Sequence, residues 1–345
     1  MWGPFHYSER MLTFNSTIDY TRYLKKLLTG LTVPQQYVCL SLEDFSDPLS
    51  VFLSEKGIDQ SVDVTSRHLF LGYKPLIIAI VFSPGIDTLS GQDLVRFDFV
   101  HCESKKDSWK GSSESKNCLA TLIARRIFTK TLNGQEIAFY EGDHGSHRFI
   151  NRFHQLINNL REKLRKNTPN NVSIPGNLHD QVRIAYAVPR IIALISLCQG
   201  NKMNMFPTDL HGPSGYEFYI SSLRHGGKAN NQVEDTGKLV LSFMPVEEYK
   251  TVYALGKNHM QDMQAEDKFP VSGKSTVLSL PVPASALYYK ELERIGSFDA
   301  GIHRIHFYKV LHAEKVRHGQ TLAHIHQYYA QWRIDRNLPV NMRLR

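Results

Sequence analysis

The chain has 345 residues, 42% of them hydrophobic and 21% charged, which excludes a disordered or collagen-like polypeptide and allows two domains of ordinary size. Its longest apolar run, Pro75 to Pro84, is about half of what a membrane-crossing helix needs, the first residues lack a signal-peptide core, and Cys39, Cys102, Cys118 and Cys198 show no CxxC spacing, so the expected setting is a reducing cytoplasm with no membrane partner. A net charge of +8 favours anionic partners, but with no long basic run and no nucleic-acid-binding signature, nucleotides and phosphates are expected ahead of nucleic acid.

Ser16 or Thr17 is placed to cap a helix through Leu28, with Tyr20, Tyr23, Leu24, Leu27 and Leu28 at helical spacing and Gly30 to end it. Strands are expected at Tyr37 to Leu42, Pro75 to Phe82 and Val95 to Val100, the last alternating Val95, Phe97 and Phe99 with Arg96 and Asp98. His101 to Lys116 reads as a polar surface loop. From Asn117 the run CLATLIARRIFTKTL has apolar residues at helical spacing, and Gln135 to Tyr140 reads as a strand or strand-like turn. Phe149, Phe153, Leu156, Ile157, Leu160 and Leu164 form the stripe of an amphipathic basic helix, expected to pack on its own domain. Residues 1–170 are therefore expected to be an α/β domain.

The segment TPNNVSIPGN, from Thr168 to Asn177, has the composition of a domain boundary. Beyond it, strands at Val188 to Leu197, Tyr216 to Leu223, Leu239 to Met244, Thr276 to Leu280, Ala286 to Ile295 and His303 to Glu314 follow closely, the pattern of a small barrel over residues 178–318. Leu322, Ile325, Tyr329 and Trp332 recur at three and four residues, which predicts a final helix within a tail of residues 319–345. No internal repeat of solenoid period is present.

The chemistry-bearing stretch runs from Pro189 to Pro245. A buried strand ends in a Gly200-Asn201 turn, a second strand carries Asn204, Phe206, Pro207 and Thr208, and a third delivers Ser221, Ser222 and Arg224 to a glycine pair and a short helix from about Lys228. Backbone N–H groups at a glycine turn and helix start, with Arg224 and Lys228, suit a phosphate. Ordinary strand-end polar groups give the same pattern without a ligand. No Walker loop, GxSxG elbow or HExxH motif is present, which fits chemistry carried by a cofactor. His303 and His306 on one strand point to opposite faces and are poor joint ligands, so no metal is expected.

This segment resembles the flavin reductase-like family of FMN-binding split barrels. The likeness lies in Gly200-Asn201-Lys202-Met203-Asn204-Met205-Phe206-Pro207-Thr208, then Ile220-Ser221-Ser222-Leu223-Arg224, Lys228-Ala229-Asn230-Asn231, Thr236-Gly237 with Leu239 to Ser242, and Gly301-Ile302-His303 opening the last long strand. Ala229 or Asn230 stands where the family has a phosphate-holding Thr, and Ile302 where it has Asp. The resemblance implies an FMN-binding (FAD possible) split β-barrel with a terminal helix. Asn204, Phe206, Pro207 and Thr208 would lie along the flavin ring, and Ser221, Ser222, Arg224 and Lys228 around the ribityl phosphate. His303 would assist the reductant or a proton transfer. It further implies a flavin-dependent oxidoreductase taking hydride from NADH or NADPH, arranged as a homodimer or as an internal pairing with the first domain. The competing expectation is a non-enzymatic protein that binds flavin, haem or a protein partner.

Overall fold

The computed structural model describes residues 17–33, 35–55, 61–82, 93–101, 116–164, 172–174 and 176–344. Its first half comprises α1 (Thr17–Thr29), β1 (Tyr37–Ser41), β2 (Ser50–Glu55), β3 (Ser61–Asp63), β4 (His68–Tyr73), β5 (Leu76–Phe82), β6 (Leu94–Val100), β7 (Cys118–Leu132), β8 (Gln135–His147) and α2 (Arg152–Leu164). The second half runs α3 (Leu178–Ala185), β9 (Arg190–Ile191), β10 (Ala193–Gln199), β11 (Lys202–Thr208), β12 (His211–Ser214), β13 (Phe218–Arg224), α4 (Lys228–Thr236) and β14 (Lys238–Phe243). Then come α5 (Tyr249–Ala254), β15 (Gln264–Ala265), β16 (Val271–Lys274), β17 (Pro281–Pro283), β18 (Tyr288–Ala300), β19 (His303–Lys315), β20 (Leu322–His326), α6 (Gln327–Ile334) and β21 (Met342–Arg343). The protein is mostly β with few helices.

Two large antiparallel sheets dominate. One has seven strands in the order β3-β2-β6-β7-β8-β5-β4, the other eight in the order β12-β13-β19-β18-β14-β10-β11-β15, and both are open. Written from the opposite edge, the first order becomes β4-β5-β8-β7-β6-β2-β3, which matches the second strand for strand up to β11. The register matches too. Hairpin β7–β8 has bulges between Ile123 and Ala124 and between Arg126 and Phe128, and β18–β19 has them between Glu291 and Leu292 and between Arg294 and Gly296. Arg126, Ile127, Ile137, Phe139, Tyr140 and His144 occupy the same places as Arg294, Ile295, Ile305, Phe307, Tyr308 and His312. Bonds outside the ladders repeat as well. Arg126 N donates to Asp93 O and Arg294 N to Gly237 O, both at 2.7 Å, and Val81 N donates to Arg67 O (3.0 Å) as Ser222 N does to Leu210 O (2.8 Å).

The two sheets meet through an apolar layer in which Ile77, Ala79, Ile137 and Phe139 face Ile220, Ile305 and Phe307, all buried. Burying such side chains is worth about 1.5–3 kcal/mol each. Turns reach across reciprocally. The β18–β19 turn meets the β4–β5 turn, where Ile302 N donates to Lys74 O at 3.0 Å, and the β7–β8 turn meets the β12–β13 turn, where Asn133 Nδ2 donates to the Glu217 carboxylate at 2.6 Å. A third sheet, β21-β1-β20-β9, sews first-half β1 between two strands of the chain's end.

The expected α/β character of the first half is corrected: it is a β-sheet flanked by helices. Cys118 to Leu132 is one 15-residue strand. Its apolar residues look helically spaced because Ile127 and Phe128 sit in the arm of a bulged ribbon, where alternation slips by one. The stripe of α2 also departs from expectation: Phe153, Leu156, Leu160 and Leu164 are exposed, and only Asn158 of that helix is buried. Thr276 to Leu280 is a turn. The buried Glu291 carboxylate draws in the backbone N–H groups of Val277 and Leu278, leaving β16 and β17 to pair on either side. Leu322 to His326 is strand β20 instead of the start of the final helix, because β1 and β9 take up its backbone bonds. The polar stretch at 102–115 lies outside the described residues, as does half of the expected boundary at 168–177.

Candidate functional site

A cleft of about 350 Å³, in the size range of small-molecule sites, opens where the two halves and the third sheet meet. Six of the residues singled out in the sequence line it: Phe206, Pro207, Thr208, Ser222, Arg224 and His303. Strand pairing brings them together. β13 delivers Ser222 and Arg224 beside the opening residues of β19, with Ser222 opposite Ile305 and Arg224 opposite His303.

The other three lie elsewhere. Asn204 is buried and acts as a brace, its side-chain N–H group donating to Gln232 (2.7 Å) and to Asn258 O (3.0 Å), which ties the turn of residues 255–260 to β11. Ser221 faces away, to the Tyr308 hydroxyl at 2.9 Å, as alternation along a strand requires. Lys228 is exposed and paired with Asp262 at 2.5 Å.

Positive charge in the cleft comes from Arg224, which is half-buried and, among the described residues, has no carboxylate partner; it contacts the Tyr73 hydroxyl from the first half. Next to it, Gly227 precedes α4 in an extended conformation (φ −97°, ψ 142°) with no side chain capping the helix. The first N–H groups of α4 therefore remain available beside a guanidinium, a combination suited to an anion.

His303 is buried. Its Nδ1 lies 3.2 Å from Ser222 Oγ, its ring meets Tyr73 edge-on at 4.5 Å, and its Nε2 has no partner among the described residues. Burial, reinforced by Arg224, pushes its pKa down to about 3. It is a neutral imidazole at physiological pH, able to exchange hydrogen bonds but not to deliver a proton as imidazolium. A buried polar nitrogen left open costs free energy unless a ligand or water satisfies it.

The sequence reading missed the opposite wall. Asp209, directly after Thr208, accepts hydrogen bonds from Tyr186 and His324, both at 2.8 Å, and the Tyr253 hydroxyl lies 2.9 Å from the other nitrogen of His324. Burial alone would raise the Asp209 carboxyl, but the bonds from His324 and Tyr186 hold it down at about 2, so it is ionised. Tyr37 of β1 stacks on His324 at 5.2 Å. Only Asp209 was close to a recognised motif; Tyr253 lies on α5, between recognised strands, and His324 falls in a stretch that reads as helix. A larger hollow of about 1190 Å³ lies between α1, α2 and the end of β8, and it contains none of the residues predicted from sequence.

No protein-family model matches this chain, and no curated protein does. Solved structures match just under half of it. The flavin reductase component BorF of a bacterial two-component tryptophan halogenase is 12% identical over 44% of this chain and 94% of its own, with a TM-score of 0.39. The NADH:FAD oxidoreductase of Streptomyces globisporus is 11% identical over 47% of this chain and 96% of its own (TM-score 0.38), and an FMN-binding protein of Thermus thermophilus 15% identical over 44% and 81% (TM-score 0.35). About 44% of the chain is thus similar to flavin reductases and FMN-binding proteins.

Proposed function

We propose that this protein binds a flavin, FMN or FAD, in the cleft between its halves, that its second half is a split barrel of the flavin reductase type, and that it is an oxidoreductase using NADH or NADPH. The observation that carries this reading is the convergence, in one cleft, of an arginine, a helix start and a buried histidine nitrogen that have, among the described residues, no carboxylate, no side-chain cap and no hydrogen-bond partner respectively. Arg224 and the first N–H groups of α4 would hold the phosphate. Ser222 and His303 would take the polar chain beside it, and the strand end Phe206-Pro207-Thr208 would flank the ring. Bound flavin supplies hydride acceptance and onward electron transfer, so no side chain need act as a nucleophile. The protein contributes placement. Its ionised Asp209 fixes His324 and Tyr186 on one wall while Arg224 neutralises charge at the other.

A cytoplasmic setting agrees with the free thiols of Cys39, Cys118 and Cys198. Among the described residues no helix is long and apolar enough to cross a membrane.

Purified protein reconstituted with FMN, freed of excess ligand and mixed anaerobically with NADH or NADPH tests the reading. A yellow protein that bleaches supports the enzyme, and a yellow protein that does not bleach shows a carrier. Failure to retain either FMN or FAD rejects the flavin reading.

A further inference from the structure

We propose that the first half of the chain is a second copy of the second half which has lost its own binding site and serves, within the same chain, as the far wall of the single remaining one. Three observations carry this inference. The first is the shared strand order, with the same two bulges in the long hairpin and the same extra-ladder bonds. Two unrelated sheets have no reason to share irregularities, since a bulge is a local feature specified by sequence.

The second is what occupies matched positions. Strand partners place Val81 where the second half has Ser222, Gln135 where it has His303, and Val62 and Val64 where it has Phe206 and Thr208. Ile80 stands for Ser221 and Ala138 for His306. The polar positions of one copy are thus largely apolar in the other. Gln135 stays polar and lies against Gly215 in the β12–β13 turn, and buried His68 stands where the second half has His211.

The third is reciprocity. Each copy inserts its β4–β5 or β12–β13 turn against the other's long-hairpin turn, the arrangement expected of two copies related by a twofold axis. One of these exchanges completes a cleft: Tyr73 reaches Arg224 and stacks edge-on against His303. The corresponding turn of the second half carries Tyr216, which is fully exposed. Tyr73 is therefore a positioning residue given in cis, and a complete site needs one chain.

The ligand in this inference rests on the proposed flavin reading, so its test has an arm that does not. In the full-length protein with Asn133→Cys and Glu217→Cys, a short bis-maleimide should bridge the halves within one chain, seen by mass spectrometry as a peptide joining positions 133 and 217 recovered from the single-chain band. A covalent two-chain product means that halves pair between chains and overturns the proposal. FMN titration of the wild-type chain should saturate at one equivalent, and two equivalents would show that the first copy kept its site. Tyr73→Ala and Arg224→Ala should each weaken FMN by about tenfold or more. Unfolding these two variants together and refolding them should restore no tight sites, whereas restored tight binding shows a site built from two chains. If the wild type takes up no FMN, the flavin reading fails and the crosslink alone decides whether the halves pair in cis.

Discussion

The two halves of this chain hold the same strand order and the same bulged hairpin, yet differ in what they place at one end of the sheet. In the second half β13 and β19 present Ser222, Arg224 and His303 to a cleft, and the inserted segment between β14 and β18 closes it with Tyr253, Gly256 and His259. In the first half the matched strands carry Val81 and Gln135. Apolar residues inside and along the ladder maintain the fold in both, so the architecture tolerates loss of the polar set. The site is an addition to the scaffold, and its loss leaves the scaffold free to act as a wall.

The largest expected difference between the halves concerns Arg224. Its replacement by Ala should weaken FMN roughly 10- to 100-fold, as for loss of a charge-assisted hydrogen bond, while riboflavin, which lacks the phosphate, changes little. Equal losses for both ligands would show that Arg224 does not meet the phosphate. Val81→Ser in the first half, by contrast, should create no second FMN equivalent.

The matched turn positions Gly301 and Asn133 offer a second contrast. Both are left-handed (φ 61° and 45°), but a Cβ on Gly301 would run into the Lys74 carbonyl and Pro75, whereas Asn133 reaches out to Glu217. Gly301→Asn should cost about 2–4 kcal/mol by urea denaturation, and Asn133→Gly about 1 kcal/mol or less. Similar costs at both would mean that the two turns are not differently packed.

A third contrast is in pH dependence. His306 is held neutral by burial and by Arg294, with its pKa lowered to about 3, and its counterpart Ala138 cannot titrate. Neutral when folded, it gains a proton near pH 6.5 only when unfolded, so its share of stability is complete above that pH and is lost as pH falls toward 3. Well below pH 6.5 the wild type should lose up to about 1.4 kcal/mol per pH unit through this residue, and His306→Gln should flatten the slope. An unchanged slope would place the proton uptake elsewhere. The smallest effect is expected at Lys228, whose exposed pairing with Asp262 leaves it outside the cleft; Lys228→Ala should change FMN affinity by less than about threefold.

Much of this was legible in the sequence. Alternation marked β6 and apolar runs marked β5, β14 and β19; residue types and turns brought Ser222 and Arg224 forward, and the family resemblance brought His303. The sequence could not show that Asn204 and Ser221 point away, because that depends on which edge and face of a strand the cleft uses. The duplication stayed hidden for a different reason. Between β14 and β18 the second half inserts α5 and β15 to β17, so a single sequence offset does not align both copies. Identity survives mainly in the hairpin pairs Arg126 and Arg294, Phe139 and Phe307, and Tyr140 and Tyr308, which pack or twist the ribbon. The wall from Asp209 to Tyr253 was invisible because β20 passes as helix until β1 is seen beside it.

Calorimetric titration of the full-length chain with FMN, run in parallel with Arg224→Ala, tests the central claim most directly. One equivalent per chain, with affinity lost on removal of the guanidinium, is the predicted result; no binding, or binding that Arg224→Ala leaves unchanged, would contradict a flavin site in this cleft.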